Sequence, residues 1–206
     1  MLRIGLTGGI ASGKSTVAAM LRDRDCQLLD ADVLTHELLE PGQDSYNEVV
    51  REFGSGILTA AETVDRQKLG AIVFADSAKR ARLNQIIHPR IQQIVATWFS
   101  ALDRPGGPGF AFEDAALILE GGVKKNFDRV VVCWCRPEQQ LERLTSRGLS
   151  REDAQRRIAS QMPIDEKRKL ADDVIDCSGT IEETEHQVDS LIVKLKQLAA
   201  TPLDIA

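Results

Sequence analysis

Gly8-Gly9-Ile10-Ala11-Ser12-Gly13-Lys14-Ser15 directly follows a short apolar run, Leu2 to Thr7. Its spacing matches G-x-x-x-x-G-K-[ST], which predicts a phosphate-binding loop between a first strand and a first helix. Glycines let the backbone wrap around an anion and present its N–H groups at the start of the helix, where the dipole favours negative charge. Lys14 is expected to reach the β and γ phosphates of ATP, and the Ser15 hydroxyl to coordinate Mg²⁺. The alternative, a glycine turn with a surface lysine, explains less of the pattern.

The residues expected to contact the nucleotide lie in and just after this loop. They are Ala11, Ser12, Gly13, Lys14, Ser15 and Thr16.

Further strand signals alternate with helical stretches along the chain. Apolar or β-branched runs occur at Cys26 to Asp30, Phe110 to Leu119, Arg129 to Trp134 and Asp173 to Asp176. Because parallel neighbouring strands need a crossover between them, this alternation predicts a three-layer α/β fold with a parallel sheet.

The segment from Asp32 to Leu102 has almost no strand signal and is predicted to be a helical insertion. Its apolar residues recur at steps of three and four, which indicates an amphipathic helix. They are Leu83, Ile87, Ile91, Ile94 and Trp98. Pro89 is expected to start, kink or end a helix near His88. A second helical stripe, typical of a closing helix packed on the core, comprises Val188, Leu191, Ile192, Leu195 and Leu198.

Composition narrows the class of protein. The 206 residues are 43% hydrophobic and carry a net charge of -5, which favours a globular protein and argues against one built to hold nucleic acid. The sequence shows no apolar run that could span a membrane, and we expect a cytoplasmic protein. The four cysteines lack CxxC spacing, so reduced core thiols are expected rather than a zinc or redox site.

Two acids end the second predicted strand, at Asp30 and Asp32. In an open parallel sheet the carboxyl ends of the strands line the ligand crevice, so Asp32 is a candidate general base for an attacking hydroxyl. Equally, either aspartate is suited to cap the helix that begins near Val33. The spacing alone does not separate these two roles.

Beyond these motifs, the sequence resembles the dephospho-coenzyme A kinases over nearly its whole length. The resemblance starts at Ile4 to Ile10 and includes Asp30-Ala31-Asp32 and the Asn84 to Pro89 segment. Further matching positions are Glu40-Pro41-Gly42, Phe53-Gly54, Val64-Asp65-Arg66, Leu69-Gly70, Phe74, Leu83, Arg90-Ile91, Leu117-Ile118-Leu119-Glu120, Gln140, Arg143, Arg147, Gln161 and Ala171 to Ile175.

The resemblance implies transfer of the γ-phosphate of ATP to the 3′-hydroxyl of dephospho-coenzyme A. It places the family's presumed base on Asp32 and makes Arg66 and His88 candidate contacts of the acceptor. His88 has an alternative role as a helix cap or a buried, hydrogen-bonded group, and Arg66 as a partner for nearby acids. Three departures stand out: the family has glycine at Ala11, proline at Ala116 and asparagine at Cys177.

A basic concentration between Arg143 and Lys169 predicts a lid that excludes water and neutralises the transferring phosphoryl group. Arg143 and Arg147 are four residues apart, so they share a helical face and are the best candidates for ATP contacts; Arg147 is also a candidate catalytic residue. Ser150 to Asp153 matches a capping box. The alternative is a solvated helical face, which we expect for Arg156.

Taken together, the sequence predicts one kinase domain of the phosphate-loop type. Its predicted parts are a core at 1–32, 110–142 and 170–206, an acceptor lobe at 33–102 and a lid at 143–169. The expected partners are ATP with Mg²⁺ and dephospho-coenzyme A, without nucleic acid or membrane. The alternatives are another small-molecule or nucleoside monophosphate kinase and, with less support, a nucleotide switch.

Overall fold

Five strands form the centre of the structure, a computed structural model that describes residues 1–200. Their bounds are β1 Leu2–Gly8, β2 Leu28–Asp30, β3 Phe110–Asp114, β4 Arg129–Trp134 and β5 Asp173–Asp176. The last two agree with the sequence prediction at both ends, whereas β2 begins two residues later than expected. The prediction that β3 extends to Leu119 was wrong. The chain turns after Asp114, where the Ala115 N–H donates to the Leu6 carbonyl at 3.0 Å.

The sheet has the order β2-β3-β1-β4-β5. Strand β1 pairs in parallel with β3 on one side and β4 on the other, and β4 pairs in parallel with β5. The connections β1 to β2, β2 to β3 and β4 to β5 contain helices, whereas β3 to β4 contains only a short 3-10 turn at Lys124–Asn126. Helices cover both faces, as expected for a parallel sheet. The predicted three-layer α/β fold is therefore confirmed.

Helices make up most of the remaining chain. Their bounds are α1 Lys14–Arg22, α2 Ala31–Glu37, α3 Asp44–Phe53, α4 Arg66–Ala75, α5 Ser77–Leu102, α6 Pro137–Ser146, α7 Arg151–Ala159, α8 Ile164–Leu170 and α9 Ile181–Ala200. Within residues 1–200, no helix has the length and apolar character needed to cross a lipid bilayer.

The two faces of the sheet bury separate apolar clusters. On one face, side chains of α1 and α9 pack against the strands; this cluster includes Val17, Leu21, Phe112, Val188 and Leu195. The predicted stripe on the closing helix is confirmed at four positions, but Leu198 is 37% exposed near the end of α9. On the other face, Ile164 of α8 packs with Ile118, Val130, Val132 and Trp134.

The chain divides into two compact units. Among the described residues, one comprises 1–29 and 99–200, and the other is Asp30–Trp98. The second unit contains helices and one isolated bridge between Leu58 and Val64, and it has its own buried cluster around Val49, Ile57 and Leu69. The finer division into core, acceptor lobe and lid stays a prediction.

Pro89 lies inside α5, and this helix neither starts nor ends at His88. Proline removes one helical hydrogen bond and displaces a carbonyl in the preceding turn, at a cost of about 3 kcal/mol. Here Arg90 Nη1 donates to the Ile86 carbonyl at 2.7 Å, which gives a carbonyl in that turn a partner. Burial of Ile86 and Ile87 in the cluster of the second unit further stabilises the continuous helix.

Candidate active site

The phosphate-binding loop connects β1 to α1 and requires an unusual backbone. Gly13 has φ 106°, and a Cβ atom at this position would lie 2.8 Å from the Cβ of Cys177. Both observations exclude side chains here, because L residues rarely adopt this backbone and carbon atoms do not approach so closely. Ala11 has φ 59°, also in the left-handed region. An alanine in that region carries strain of about 1–2 kcal/mol, so the loop tolerates the extra methyl group at an energetic cost.

Side chains from other elements hold the backbone of the loop. Gln140 Nε2 on α6 donates to the Ile10 carbonyl at 2.7 Å, and the Ile10 N–H donates to Gln161 Oε1 at 2.7 Å. Arg143 Nη1 donates to the Ala11 carbonyl at 3.1 Å. In a trans peptide the N–H points away from the preceding carbonyl, so a fixed Ile10 carbonyl also fixes the direction of the Ala11 N–H. The loop is thus held in one conformation by α6 and by Gln161.

Lys14 forms an ion pair with Asp114, the last residue of β3. Asp114 is 2% exposed, and its position at the carboxyl end of the strand brings a carboxylate to the phosphate-binding loop. Lys14 is the first residue of α1, where the helix dipole and the backbone N–H groups favour anions. An ammonium and a carboxylate are therefore in contact beside the loop.

A cleft of about 280 Å³ lies beside the loop. Among its lining residues are five that the sequence predicted as ATP contacts: Ala11, Gly13, Thr16, Arg143 and Arg147. The structure brings these five together. By contrast, Ser12 is fully buried, and its hydroxyl has no hydrogen-bond partner among residues 1–200. Ser15 is exposed in the first turn of α1.

The two predicted arginines of the cleft differ in their surroundings. Arg143 lies within α6, and its Nη2 donates to the Cys177 carbonyl at 2.7 Å in addition to the bond with Ala11. It therefore connects the loop to the segment after β5. Arg147 follows the last turn of α6 and is exposed in the same cleft. An exposed guanidinium beside the loop is suited to bind phosphate oxygens.

Two thiols lie next to each other behind the loop. Cys133 in β4 donates a hydrogen bond to the sulfur of Cys177, which lowers the pKa of the Cys177 thiol and, together with burial, raises the pKa of Cys133. Burial raises the pKa of Cys135 to about 11. Cys177 lines the cleft at the position where the resemblance leads us to expect asparagine.

The predicted acceptor residues all belong to the second unit. Asp32 is the second residue of α2 and is exposed. The N-cap of α2 is Asp30, whose carboxylate accepts from the N–H groups of Asp32 and Val33 at 3.0 Å. The alternative that one of the two aspartates caps this helix is therefore confirmed for Asp30, whereas Asp32 is not the N-cap.

The other two acceptor candidates are also exposed. Arg66 is the first residue of α4, whose N-cap is Asp65. His88 lies inside α5, so it is neither a helix cap nor a buried group, and both structural alternatives proposed for it were wrong. Whether Arg66 and His88 contact the acceptor stays a prediction.

Beyond Arg147, the predicted lid combines exposed and buried cations. Ser150 is the N-cap of α7, where its hydroxyl accepts from the Asp153 N–H at 3.1 Å, which confirms the predicted helix start. Arg156 is 69% exposed at its side chain and pairs with Asp153 three residues earlier, in agreement with the predicted solvated face. Lys167, in contrast, is completely buried, a position that its residue type did not indicate.

Comparison with known proteins gives a consistent family match. The family model described as dephospho-CoA kinase matches residues 2–183. The dephospho-CoA kinase of Bacillus licheniformis is 43% identical over 192 residues, which cover 93% of this chain and 95% of that protein. The Geobacillus kaustophilus dephospho-CoA kinase is 44% identical over 197 residues, which cover 95% and 96%.

Solved structures agree with this match. A Thermus thermophilus protein superposes with a TM-score of 0.79 at 30% identity and covers 94% of this chain and 97% of that one. The Campylobacter jejuni dephospho-CoA kinase superposes with a TM-score of 0.70 at 26% identity and covers 95% and 97%.

Proposed function

The chain belongs to the dephospho-CoA kinase family, and we propose that it transfers the γ-phosphate of ATP to the 3′-hydroxyl of dephospho-CoA, giving coenzyme A and ADP. The observation that carries this proposal is the family match over residues 2–183 combined with a fixed phosphate-binding loop at Lys14. Phosphoryl transfer needs positioning and electrostatic stabilisation more than covalent chemistry by the protein, and a loop held in place supplies both.

On the donor side, each group has a distinct role in this proposal. The N–H groups of the loop and of the first turn of α1 bind the phosphates, and the Lys14 ammonium stabilises charge on the β and γ phosphates. Thr16 and Arg143 line the cleft that holds the nucleotide. Arg147, exposed in that cleft, stabilises the charge that develops on the transferring group.

Magnesium is the cofactor that this reaction implies, and the residues present fit it. The Ser15 hydroxyl follows Lys14 directly, and the carboxylate of Asp114 pairs with Lys14, so these two oxygen groups beside the loop would hold the ion. Mg²⁺ in nucleotide sites takes one or two protein ligands, because phosphates and water supply the others. When bound, the ion neutralises charge on the β and γ oxygens.

On the acceptor side, Asp32 is proposed as the general base. Its support comes from the matching Asp30-Ala31-Asp32 motif and from the finding that Asp30 caps α2. The carboxylate of Asp32 orients the acceptor hydroxyl and accepts its proton late in the transfer. Arg66 and His88, both exposed in the second unit, are proposed to contact dephospho-CoA.

Two further proposals concern the setting of the reaction. The acidic net charge of -5 supports a protein without nucleic-acid partners, and we place it in the cytoplasm.

The segment 143–169 is proposed to include a lid that excludes water during transfer. Closure should slow proteolysis between Gly148 and Lys169 when an ATP analogue and dephospho-CoA are both bound; equal cutting rates with and without these ligands argue against it.

An acceptor panel tests the function directly. ATP consumption is measured with dephospho-CoA, nucleoside monophosphates or no acceptor, and the product is identified by mass. We expect turnover with dephospho-CoA and near silence without an acceptor, because a kinase of this type excludes water. Comparable turnover with a nucleoside monophosphate supports the alternative kinase, and ATP hydrolysis that is independent of any acceptor supports a nucleotide switch.

Two variants assign the proposed roles within this assay. Lys14→Ala should remove most phosphoryl transfer, because its ammonium acts on phosphate charge. Asp32→Asn keeps nearly the same shape without a basic carboxylate, so it should lower kcat much more than it weakens ATP binding. Near wild-type kcat in Asp32→Asn contradicts its role as the base.

A further inference from the structure

Lys167 differs from every other cation of the basic segment in its burial. Its side chain is 0% exposed, whereas Lys169 on the same helix α8 is 69% exposed. A buried ammonium is unfavourable unless its hydrogen-bonding capacity is satisfied, because it loses its hydration. Burial accordingly lowers the pKa of Lys167. A cation kept at such a position needs specific partners.

Three acceptors surround the Lys167 ammonium. Nζ donates to the Gly8 carbonyl at 3.1 Å and to the Ala116 carbonyl at 2.8 Å, and it forms an ion pair with Glu120 Oε1 at 2.8 Å. An ammonium group has three donors, so these contacts match its capacity. They come from two places far apart in the sequence: the start of the phosphate-binding loop, and the turn after β3, which supplies both Ala116 and Glu120.

Neighbouring bonds extend this network. The Thr7 hydroxyl also donates to the Ala116 carbonyl, at 3.0 Å, and Glu120 Oε1 also accepts from the Met162 N–H, at 3.1 Å. Ala116 lies two residues after Asp114, the partner of Lys14. The Lys167 ammonium therefore joins the first residue of the loop to the segment that presents Asp114.

We propose that Lys167 is a positioning residue for phosphoryl transfer, which keeps the start of the phosphate-binding loop and the turn after β3 in a fixed mutual position. This inference rests on the proposed function. By holding the Gly8 carbonyl, the ammonium fixes the plane of the next peptide, since a peptide group is rigid. By holding the Ala116 carbonyl, it limits movement of the chain that carries Asp114.

The test separates positioning from plain stability. Lys167→Met alone leaves the Glu120 carboxylate without its cation, so the main variant is the double substitution Lys167→Met with Glu120→Gln, which removes both charges. Lys167→Gln is a second variant that keeps a polar group in case the double variant folds poorly. Lys169→Met is the matched control on the same helix. For each we measure kcat, KM for ATP, the Kd for ADP by calorimetry and the Tm.

If Lys167 positions the loop, kcat of the double variant falls by on the order of 10²-fold, as small misplacements of reacting groups produce, while the Kd for ADP changes much less. Lys169→Met stays within about twofold of the wild type, as expected for an exposed charge. The inference is overturned if the double variant keeps wild-type kcat, or if kcat and ADP affinity fall in the same proportion, since Lys167 then supports only stability or binding.

A readout without acceptor keeps this test separate from the proposed reaction. Hydrogen exchange of backbone amides at residues 9–13 is compared between the ADP complexes of the wild type and the double variant. Faster exchange in the variant at these amides and after β3, but not in α9, supports the inference even if the wild type fails to phosphorylate dephospho-CoA. Unchanged exchange in both segments overturns it whatever the acceptor is.

Discussion

Glu113→Gln should stabilise the protein above neutral pH and have little effect in acid. Glu113 lies in β3 opposite Gly5 of β1, and a Cβ atom at Gly5 would meet the side chains of Ile118 and Phe127. Burial raises its pKa from 4.5 to about 7. The folded state therefore favours the protonated carboxyl, whereas the unfolded chain ionises at the ordinary pKa.

The sign and size of the effect follow from this difference. Between the two pKa values the folded state binds more protons than the unfolded state, so the free energy of unfolding falls as pH rises from 4.5 through about 7. A tenfold change in an acid constant corresponds to about 1.4 kcal/mol, so the Glu113 carboxylate destabilises the folded state by up to about 3 kcal/mol at alkaline pH. Glutamine has a similar shape and no charge, so the Glu113→Gln variant does not lose this stability as pH rises.

Urea unfolding at a series of pH values measures the effect. The difference in unfolding free energy between Glu113→Gln and the wild type should be small near pH 4.5 and should grow to at most about 3 kcal/mol above about pH 8. The matched control, Glu142→Gln on the exposed surface of α6, should change it by less than about 0.5 kcal/mol. A difference for Glu113→Gln that is the same at all pH values refutes the reasoning, because uncharged packing alone then accounts for it.

Other substitutions test the loop and the lid. Gly13→Ala should destabilise the protein by about 2 kcal/mol and weaken ADP binding, because φ 106° and the contact with Cys177 leave no room for a methyl group. A wild-type affinity of the variant for ADP, measured by calorimetry, contradicts this prediction. Ala11→Gly should keep nucleotide binding and raise stability by at most about 1 kcal/mol, since the strain it relieves is partly offset by a more flexible unfolded chain. A clearly lower unfolding free energy of the variant in urea contradicts this prediction. Arg147→Ala should reduce kcat strongly, and Arg147→Lys should restore only part of the lost kcat, because an ammonium lacks the two-pronged hydrogen bonding of a guanidinium. Arg156→Ala should change kcat little. If steady-state kinetics show equal effects of Arg147→Ala and Arg156→Ala, Arg147 has no special role in catalysis.

The sheet was predictable because its signals are local. Strands β4 and β5 are short β-branched runs bounded by polar residues, and the glycine motif lies where β1 ends. The end of β3 was misplaced because Ile118 and Leu119 pack against the sheet after the chain has turned, whereas Leu117 is exposed. A pattern of apolar residues does not distinguish a strand from a buried turn.

The site was predictable where it is made by neighbouring residues and not where distant segments meet. The loop and Asp30-Ala31-Asp32 are contiguous motifs, whereas the ammonium of Lys167 contacts a carbonyl 159 positions earlier in the chain. Its sequence neighbours Arg168 and Lys169 are exposed, so the charge run alone indicated a solvated face. Similarly, Arg143 was expected to bind ATP, and its hydrogen bonds to the Ala11 and Cys177 carbonyls depend on the tertiary fold.

Cys177 places a sulfur atom in the wall of the cleft beside the phosphate-binding loop. It is 6% exposed and lines the cleft, and its pKa is lowered by the hydrogen bond from Cys133. Thiolates, not thiols, react with electrophiles, and a cysteine becomes one on deprotonation, which the amide of asparagine does not. An adenosine analogue that carries a mild electrophile directed at this sulfur can therefore form a covalent adduct here. Kinases with asparagine at the same position offer no such sulfur, which makes this residue a basis for selective chemical probes.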